Sequence, residues 1–267
     1  MARIICIANQ KGGVGKTTTA INLSAALAVD EKRTLLVDCD PQGNATTGVG
    51  VDKKSFKKSL YHGMIQGIPA RELLQETELK FLDLLPACID LIGIELEMMN
   101  RPGRETVLRA LLNTIAGEYN YILLDCPPSL NLITVNALTA ADSLLIPLQC
   151  EFYALQGLGQ LLQTFRRIRR NLNPRLTIEG ILLTMFDGRN NLSHQVEEEA
   201  RKYFKELVFE TKIPRNVRLG ESPSFGKPIL LYDINSSGAR SYLALAREIL
   251  DGGERRYAKK TGIRSRT

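Results

Sequence analysis

Short, unbroken apolar runs separate longer segments of helical periodicity along this chain. Five runs predict buried strands, at residues 4–8, 35–37, 121–124, 144–146 and 181–183. Their apolar residues are continuous rather than alternating, which is how strands read when a parallel sheet is covered on both faces. Weaker runs at 81–85 and 207–213 predict a sixth and a seventh strand. Helices are expected between them at 16–29, 105–115, 131–141, 157–172, 193–207 and 236–250. The first is rich in Ala and Leu nearly all round, so it should be well buried. Strand and helix in alternation imply an α/β fold: a doubly wound, mostly parallel sheet of about seven or eight strands, flanked by helices on right-handed crossovers.

Composition narrows this only a little. The 267 residues, 44% apolar and 24% charged, suit one large soluble domain with a sizeable core. No apolar run reaches the roughly 18 residues a membrane span needs, and the first residues do not read as a signal peptide. Cys6, Cys39, Cys88, Cys126 and Cys150 are widely spaced with no C-x-x-C, so a reducing cytoplasm is expected, without disulfides or a metal cluster. The net charge of +6 is uneven, for residues 251–267 carry +4 of it. After Gly252-Gly253 the polar, basic stretch is expected to be a disordered tail, residues 252–267 beyond a domain at 1–251. It reads as a solubilising end more readily than as an electrostatic tether for a polyanion.

The candidate chemistry begins in "NQKGGVGKTTT", residues 9–19. A glycine-rich turn between a strand and a helix points backbone N–H groups at an anion, and the helix start adds positive potential. Gly12, Gly13, Val14 and Gly15 would form that cradle. Lys16 would reach the β and γ phosphates, the Thr17 hydroxyl would ligate Mg²⁺, and Thr18 would donate to the α-phosphate. "YILLD" then runs four buried residues into Asp125, placing a carboxylate beside the cation, and Pro127 and Pro128 stiffen the turn after it. In "VDCDPQGN", Asp40 starts a loop where its carboxylate could face the γ-phosphate; as a bland alternative it is a turn residue before Pro41. Asp38 is open between a role near Mg²⁺ and a structural one.

The loop departs from the usual pattern, with Gln10 where a glycine is common and Lys11 opening the run Lys-Gly-Gly-Val-Gly-Lys-Thr. Together with "LLVDCDPQGNAT", "YILLDCPPSL", "NALTAADSLLIPLQCEFYALQGL" and "IPRNVRLGESPSFGKPILLYD", in that order, it resembles the ParA/MinD superfamily of deviant P-loop ATPases, and within it the Soj-type chromosomal ParA group. The resemblance implies an ATP-dependent, Mg²⁺-dependent DNA-partitioning ATPase. It implies that Asp40 positions the attacking water, completing a metal and catalytic set of Thr17, Asp40 and Asp125. It gives Pro214 and Asn216 to the adenine, and it sends Lys11 across to the ATP of a twin subunit in a symmetric sandwich dimer. Arg189 and Arg218 match arginines that bind double-stranded DNA without sequence preference; Lys202, Lys227 and Arg247 are weaker candidates. A ParB/Spo0J-like protein with a short basic N-terminal segment would stimulate hydrolysis, and the protein would sit on the nucleoid.

Other readings carry less. A MinD-like membrane-positioning ATPase needs an amphipathic C-terminal helix with bulky apolar residues, and "ERRYAKKTGIRSRT" offers only Tyr257, Ala258 and Ile263. No membrane partner is expected. An iron–sulfur carrier needs a second thiol near Cys126, which the sequence does not offer. The basic run "FRRIRRNL" at 165–172 reads as an ordinary helix with Phe165, Ile168 and Leu172 inward and its arginines solvated. His62 and His194 have no evident role.

Overall fold

The computed structural model describes residues 2–151 and 156–261. Seven strands form one sheet: β1 Arg3–Ile7, β2 Thr34–Asp38, β3 Gln75–Glu76, β4 Leu82–Leu85, β5 Tyr121–Asp125, β6 Ser143–Gln149 and β7 Thr177–Thr184. Their order is β3-β4-β2-β5-β1-β6-β7, with every pairing parallel except β3 against β4. The helices are α1 Lys16–Val29, α2 Asn44–Gly48, α3 Leu60–Gln66, α4 Ile94–Glu97, α5 Val107–Asn113, α6 Leu132–Ala140, α7 Gln156–Asn171, α8 Asn191–Phe204, α9 Val217–Glu221, α10 Ile229–Tyr232 and α11 Ser237–Thr261.

The unbroken apolar runs feed two cores, because successive strand residues face opposite ways. Cys6, Leu35, Val37, Ile122 and Leu124 pack toward α3, α5, α6 and α7. Ile5, Ile7, Leu36, Leu123 and Leu145 pack toward α1, α10 and α11. Helix α1 is covered nearly all round, as its composition requires. In α7, Phe165 and Ile168 are buried while Arg166, Arg167, Arg169 and Arg170 are exposed, the arrangement expected of "FRRIRRNL".

Three expectations need correction. Residues 207–213 do not form a strand. They meet β7 at isolated points, where the Phe209 and Ile213 amides donate to the Ile181 and Leu183 carbonyls. Between those points the Glu248 carboxylate on α11 takes the amides of Glu210 and Thr211 at 2.8 and 3.0 Å, so no regular ladder forms. The two-residue β3 is too short to leave a pattern in the sequence. The last helix does not stop at Gly252-Gly253 but continues to Thr261, which replaces the first part of the expected disordered tail. Each glycine costs a helix about 1 kcal/mol, and the good helix formers that follow offset it. Residues 262–267, the rest of that tail, lie outside the described residues.

Candidate active site

The C-terminal ends of β1, β2 and β5 lie side by side, and each delivers a loop to the same edge of the sheet. Gly13 at φ 73° and Gly15 at φ 83° hold the left-handed conformations that turn the loop after β1. A Cβ on Gly12 or Gly13 would meet nothing within 4 Å, so the cradle opens outward. Gly15 caps α1 without a side-chain bond, and the first turn of that helix contains no acidic residue. Its leading amides are thus left to an anion.

Long-range bonds hold the cradle in place. Asn9 Nδ2 donates to the Pro147 carbonyl at 2.7 Å, and its Oδ1 accepts from the Lys11 amide at 3.1 Å. Thr184 Oγ1, at the end of β7, donates to the Val14 carbonyl at 2.9 Å. Lys16 is buried, and its Nζ donates to the Lys11 carbonyl at 2.9 Å. Burial lowers the Lys16 pKa, against the opposing pull of Asp125, Cys126 and Asp40. Lys16, Asp125 and Asp40 are therefore close enough to act on one another's charge.

Asp125 is fully buried, and neither carboxylate oxygen has a hydrogen-bond partner. Burial, and after it the Asp38 carboxylate, push its pKa well above the usual carboxylate range; the Thr17 hydroxyl works the other way without completing a bond of ordinary geometry. A buried carboxylate with no donor is costly, and a divalent cation beside it removes the cost. The donors at this point, a threonine hydroxyl and carboxylates, are the hard oxygens Mg²⁺ takes, and phosphates and water would complete its shell. Among the described residues no group of three or more His, Cys, Asp or Glu could hold a metal unaided.

Asp38 resolves to a structural role. Its Oδ2 accepts from both the amide and the hydroxyl of Thr46 at 2.8 Å, and its Oδ1 accepts from the Asp40 amide at 3.1 Å. Burial nonetheless raises its pKa to about 6. These bonds fix both ends of the 40–46 loop that carries Asp40. Asp40 itself shapes the turn, its Oδ1 accepting from the Gln42 amide at 2.9 Å, and it also faces the charges of Lys16 and Asp125.

Lys11 makes a contact the sequence does not announce. Its Nζ donates to Glu151 Oε2 at 2.9 Å, and Gln149 holds the other oxygen of that carboxylate. The Lys11 ammonium, and after it Arg215, keep Glu151 below its ordinary pKa. Glu151 and Arg215 are thus residues of the site rim that sequence reasoning missed. The residues just after Glu151, 152–155, include part of the quoted "CEFYALQGL" motif and lie outside the described residues.

The remaining candidates are more scattered. Asn216 caps α9 through the Arg218 amide at 2.8 Å and donates to Ser237 Oγ at 2.7 Å; it retains acceptor and donor capacity for a base edge. Pro214 lies beside Phe186 through an isolated bridge. Arg189 forms a two-pronged pair with Asp187 at 3.0 Å and remains 91% exposed. Arg218 pairs with Glu221 at 3.1 Å and Asp233 at 3.6 Å, and Lys227 reaches Glu78 at 3.7 Å. Lys202 is exposed in the last turn of α8. Arg247 lines a groove of about 550 Å³ beside Glu206, Glu210, Glu248 and Asp251, so its charge faces carboxylates. Cys126 does have thiol neighbours, with Cys6 Sγ at 3.5 Å and Cys39 on the adjoining strand, because all three face the same buried side of the sheet.

Comparison with known proteins agrees with this geometry. A family model described as an AAA domain matches residues 2–178. The chain is 60% identical to the chromosome partitioning protein ParA of Myxococcus xanthus, over 94% of this chain and 88% of that one. It is 53% identical to the sporulation initiation inhibitor protein Soj of Bacillus subtilis, over 95% of this chain and the whole of that one. Among solved structures, a cobyrinic acid a,c-diamide synthase from Mycobacterium smegmatis, with ADP and magnesium bound, superposes with a TM-score of 0.84 at 36% identity, covering 95% of this chain and 96% of that one. A strand-to-helix phosphate cradle opened by Lys11, an aspartate closing β5, and this identity over nearly the full length establish that the chain belongs to the ParA/Soj family of chromosome-partitioning proteins, in the ParA/MinD superfamily.

Proposed function

We propose that the chain is a DNA-partitioning ATPase whose ATP-bound dimer holds double-stranded DNA without sequence preference and releases it after a ParB-like partner stimulates hydrolysis. The observation that carries the catalytic half is Asp125, buried beside Lys16 with both oxygens unpartnered. Thr17 and Asp125, with Asp40 at the rim, would hold Mg²⁺, which when bound neutralises charge on the β and γ phosphates.

The chain's own groups do the rest. Gly12, Gly13, Val14 and Gly15 supply inward amides, with Thr17 and Thr18 beginning the helix behind them. Lys16 gives one N–H to the Lys11 carbonyl and keeps two for phosphate oxygens. Asp40 uses one carboxylate oxygen for its turn and keeps the other to accept a proton-side bond from the attacking water. Pro214 and Asn216 receive the adenine. Lys11 serves the ATP of the second copy, and it can do so only by leaving Glu151. A symmetric dimer doubles every cationic contact, so Arg189, Arg218, Lys202 and Lys227 gain DNA affinity through dimerisation. Arg247 is the weakest of the set, given its acidic neighbours.

The test is DNA binding by wild type and Asp40→Ala with ATP, with ADP and without nucleotide. The expected pattern is salt-sensitive binding that needs ATP and persists longest in Asp40→Ala. Equal binding in all three states would reject the coupling of nucleotide to DNA.

A further inference from the structure

The segment after β4 is apolar on two faces. A 3₁₀ turn, Ile89–Gly93, runs directly into α4. Leu91, Ile94 and Met98 point inward and are buried. Ile89, Ile92, Leu96 and Met99 point outward and are 57–73% exposed. Their spacing of three, four and three places them in one helical stripe. Nine large apolar side chains are exposed among the described residues, and four of them fall in this single stretch, so they form a patch rather than scatter.

Charge says what could cover the patch. Residues 89–99 contain Asp90, Glu95 and Glu97 and no lysine or arginine, in a chain of net charge +6. The nearest arginines are turned to backbone, Arg101 to the Met64 carbonyl at 2.8 Å and Arg104 to the Met99 carbonyl at 3.3 Å. Two copies meeting here about a twofold axis would set these carboxylates against themselves. DNA and anionic lipid are repelled for the same reason. The complementary occupant is a protein segment with apolar residues on one helical face and lysines or arginines around it.

The patch is also wired to the site. Glu95 Oε1 accepts from the amide of Leu132, the first residue of α6, at 2.8 Å. Only residues 126–131 separate that helix from Asp125. Asn136, one turn further along α6, bonds the Leu108 amide and the Arg104 carbonyl, so the whole 95–108 stretch is tied to the same helix.

We infer that the Ile89/Ile92/Leu96/Met99 stripe is the docking surface for a basic amphipathic segment of the regulatory partner, and that Glu95 transmits its arrival to the loop after Asp125. This rests on the partition reading above. Glu95 is a positioning residue: it touches the start of α6, not the nucleotide.

The experiment measures ATP turnover with and without the ParB-type protein of the same cell, for wild type, Ile92→Glu/Leu96→Glu and Glu95→Gln. In the double variant, basal turnover, ATP-dependent dimerisation and DNA binding should match wild type, while stimulation falls at least tenfold. Glu95→Gln should still bind the partner and lose most of the stimulation. Undiminished stimulation in the double variant overturns the docking surface and leaves the partition reading intact. Loss of ATP-dependent dimerisation in that variant assigns the stripe to a second copy and also overturns it. A partner that fails to stimulate the wild type removes the partition reading, and this inference with it.

Discussion

Replacing Glu151 by glutamine should tighten the ATP-dependent dimer. The substitution keeps the size of the side chain and a carbonyl for the Gln149 contact, but removes the charge that holds Lys11 at 2.9 Å. Lys11 and Glu151 are 37% and 46% exposed, so solvent screens the pair, and its strength is that of a surface ion pair, about 0.2–1 kcal/mol. A dimer must break two such pairs for both lysines to cross, a cost of about 0.4–2 kcal/mol, which corresponds to an approximately 2- to 30-fold lower dimer dissociation constant in Glu151→Gln. Sedimentation equilibrium with a non-hydrolysable ATP analogue measures it directly. Salt provides an internal control: the Debye length falls from about 10 Å at 0.1 M to about 3 Å at 1 M, so the gap between variant and wild type should narrow as salt rises. A variant that dimerises no more tightly than wild type at low salt would refute the idea that Glu151 competes for Lys11.

Lys16→Ala should abolish nucleotide binding, read by titration calorimetry, since it removes the one buried ammonium in the cradle. Asp40→Ala should bind ATP and accumulate as dimer; rapid turnover in that variant would end the water-positioning role. Thr184→Val removes the hydroxyl that holds the Val14 carbonyl and should weaken nucleotide binding by a few-fold, from the loss of about 1 kcal/mol of hydrogen bonding. Arg189→Ala should lose DNA in a gel shift while still dimerising. Gly180→Ala places a Cβ 2.4 Å from the Phe209 ring and should lower stability in urea by about 1–3 kcal/mol, the range for forcing an extra carbon into a packed core.

Local chemistry was legible in the sequence, and long-range chemistry was not. The cradle could be read because its glycines, lysine and threonines act within a few residues of one another. The strands that carry it could be read because burial on both faces leaves continuous apolar runs. Glu151 could not, because it meets Lys11 across a separation of 140 residues and stands in an unremarkable "QCEFY". Thr184 reaches the loop from 170 residues away, with the same effect. Residues 207–213 have the composition of a strand, yet Glu248 takes two of the amides a strand would need. The neighbours of Cys126 were hidden for a related reason: only the strand order β2-β5-β1 brings Cys39 and Cys6 alongside it.

The borders of the sheet constrain what this protein can become in a crowd. On one side the terminal strand is the two-residue β3, which ends in the charged Glu76. On the other, amides of Phe209 and Ile213 already occupy carbonyls of β7. Neither border offers a long run of free backbone groups onto which another chain could zip. Any polymer this protein builds must therefore grow through side-chain faces and through ATP, and nucleotide loss can dismantle it in a way that would not dissolve a continuous intermolecular sheet.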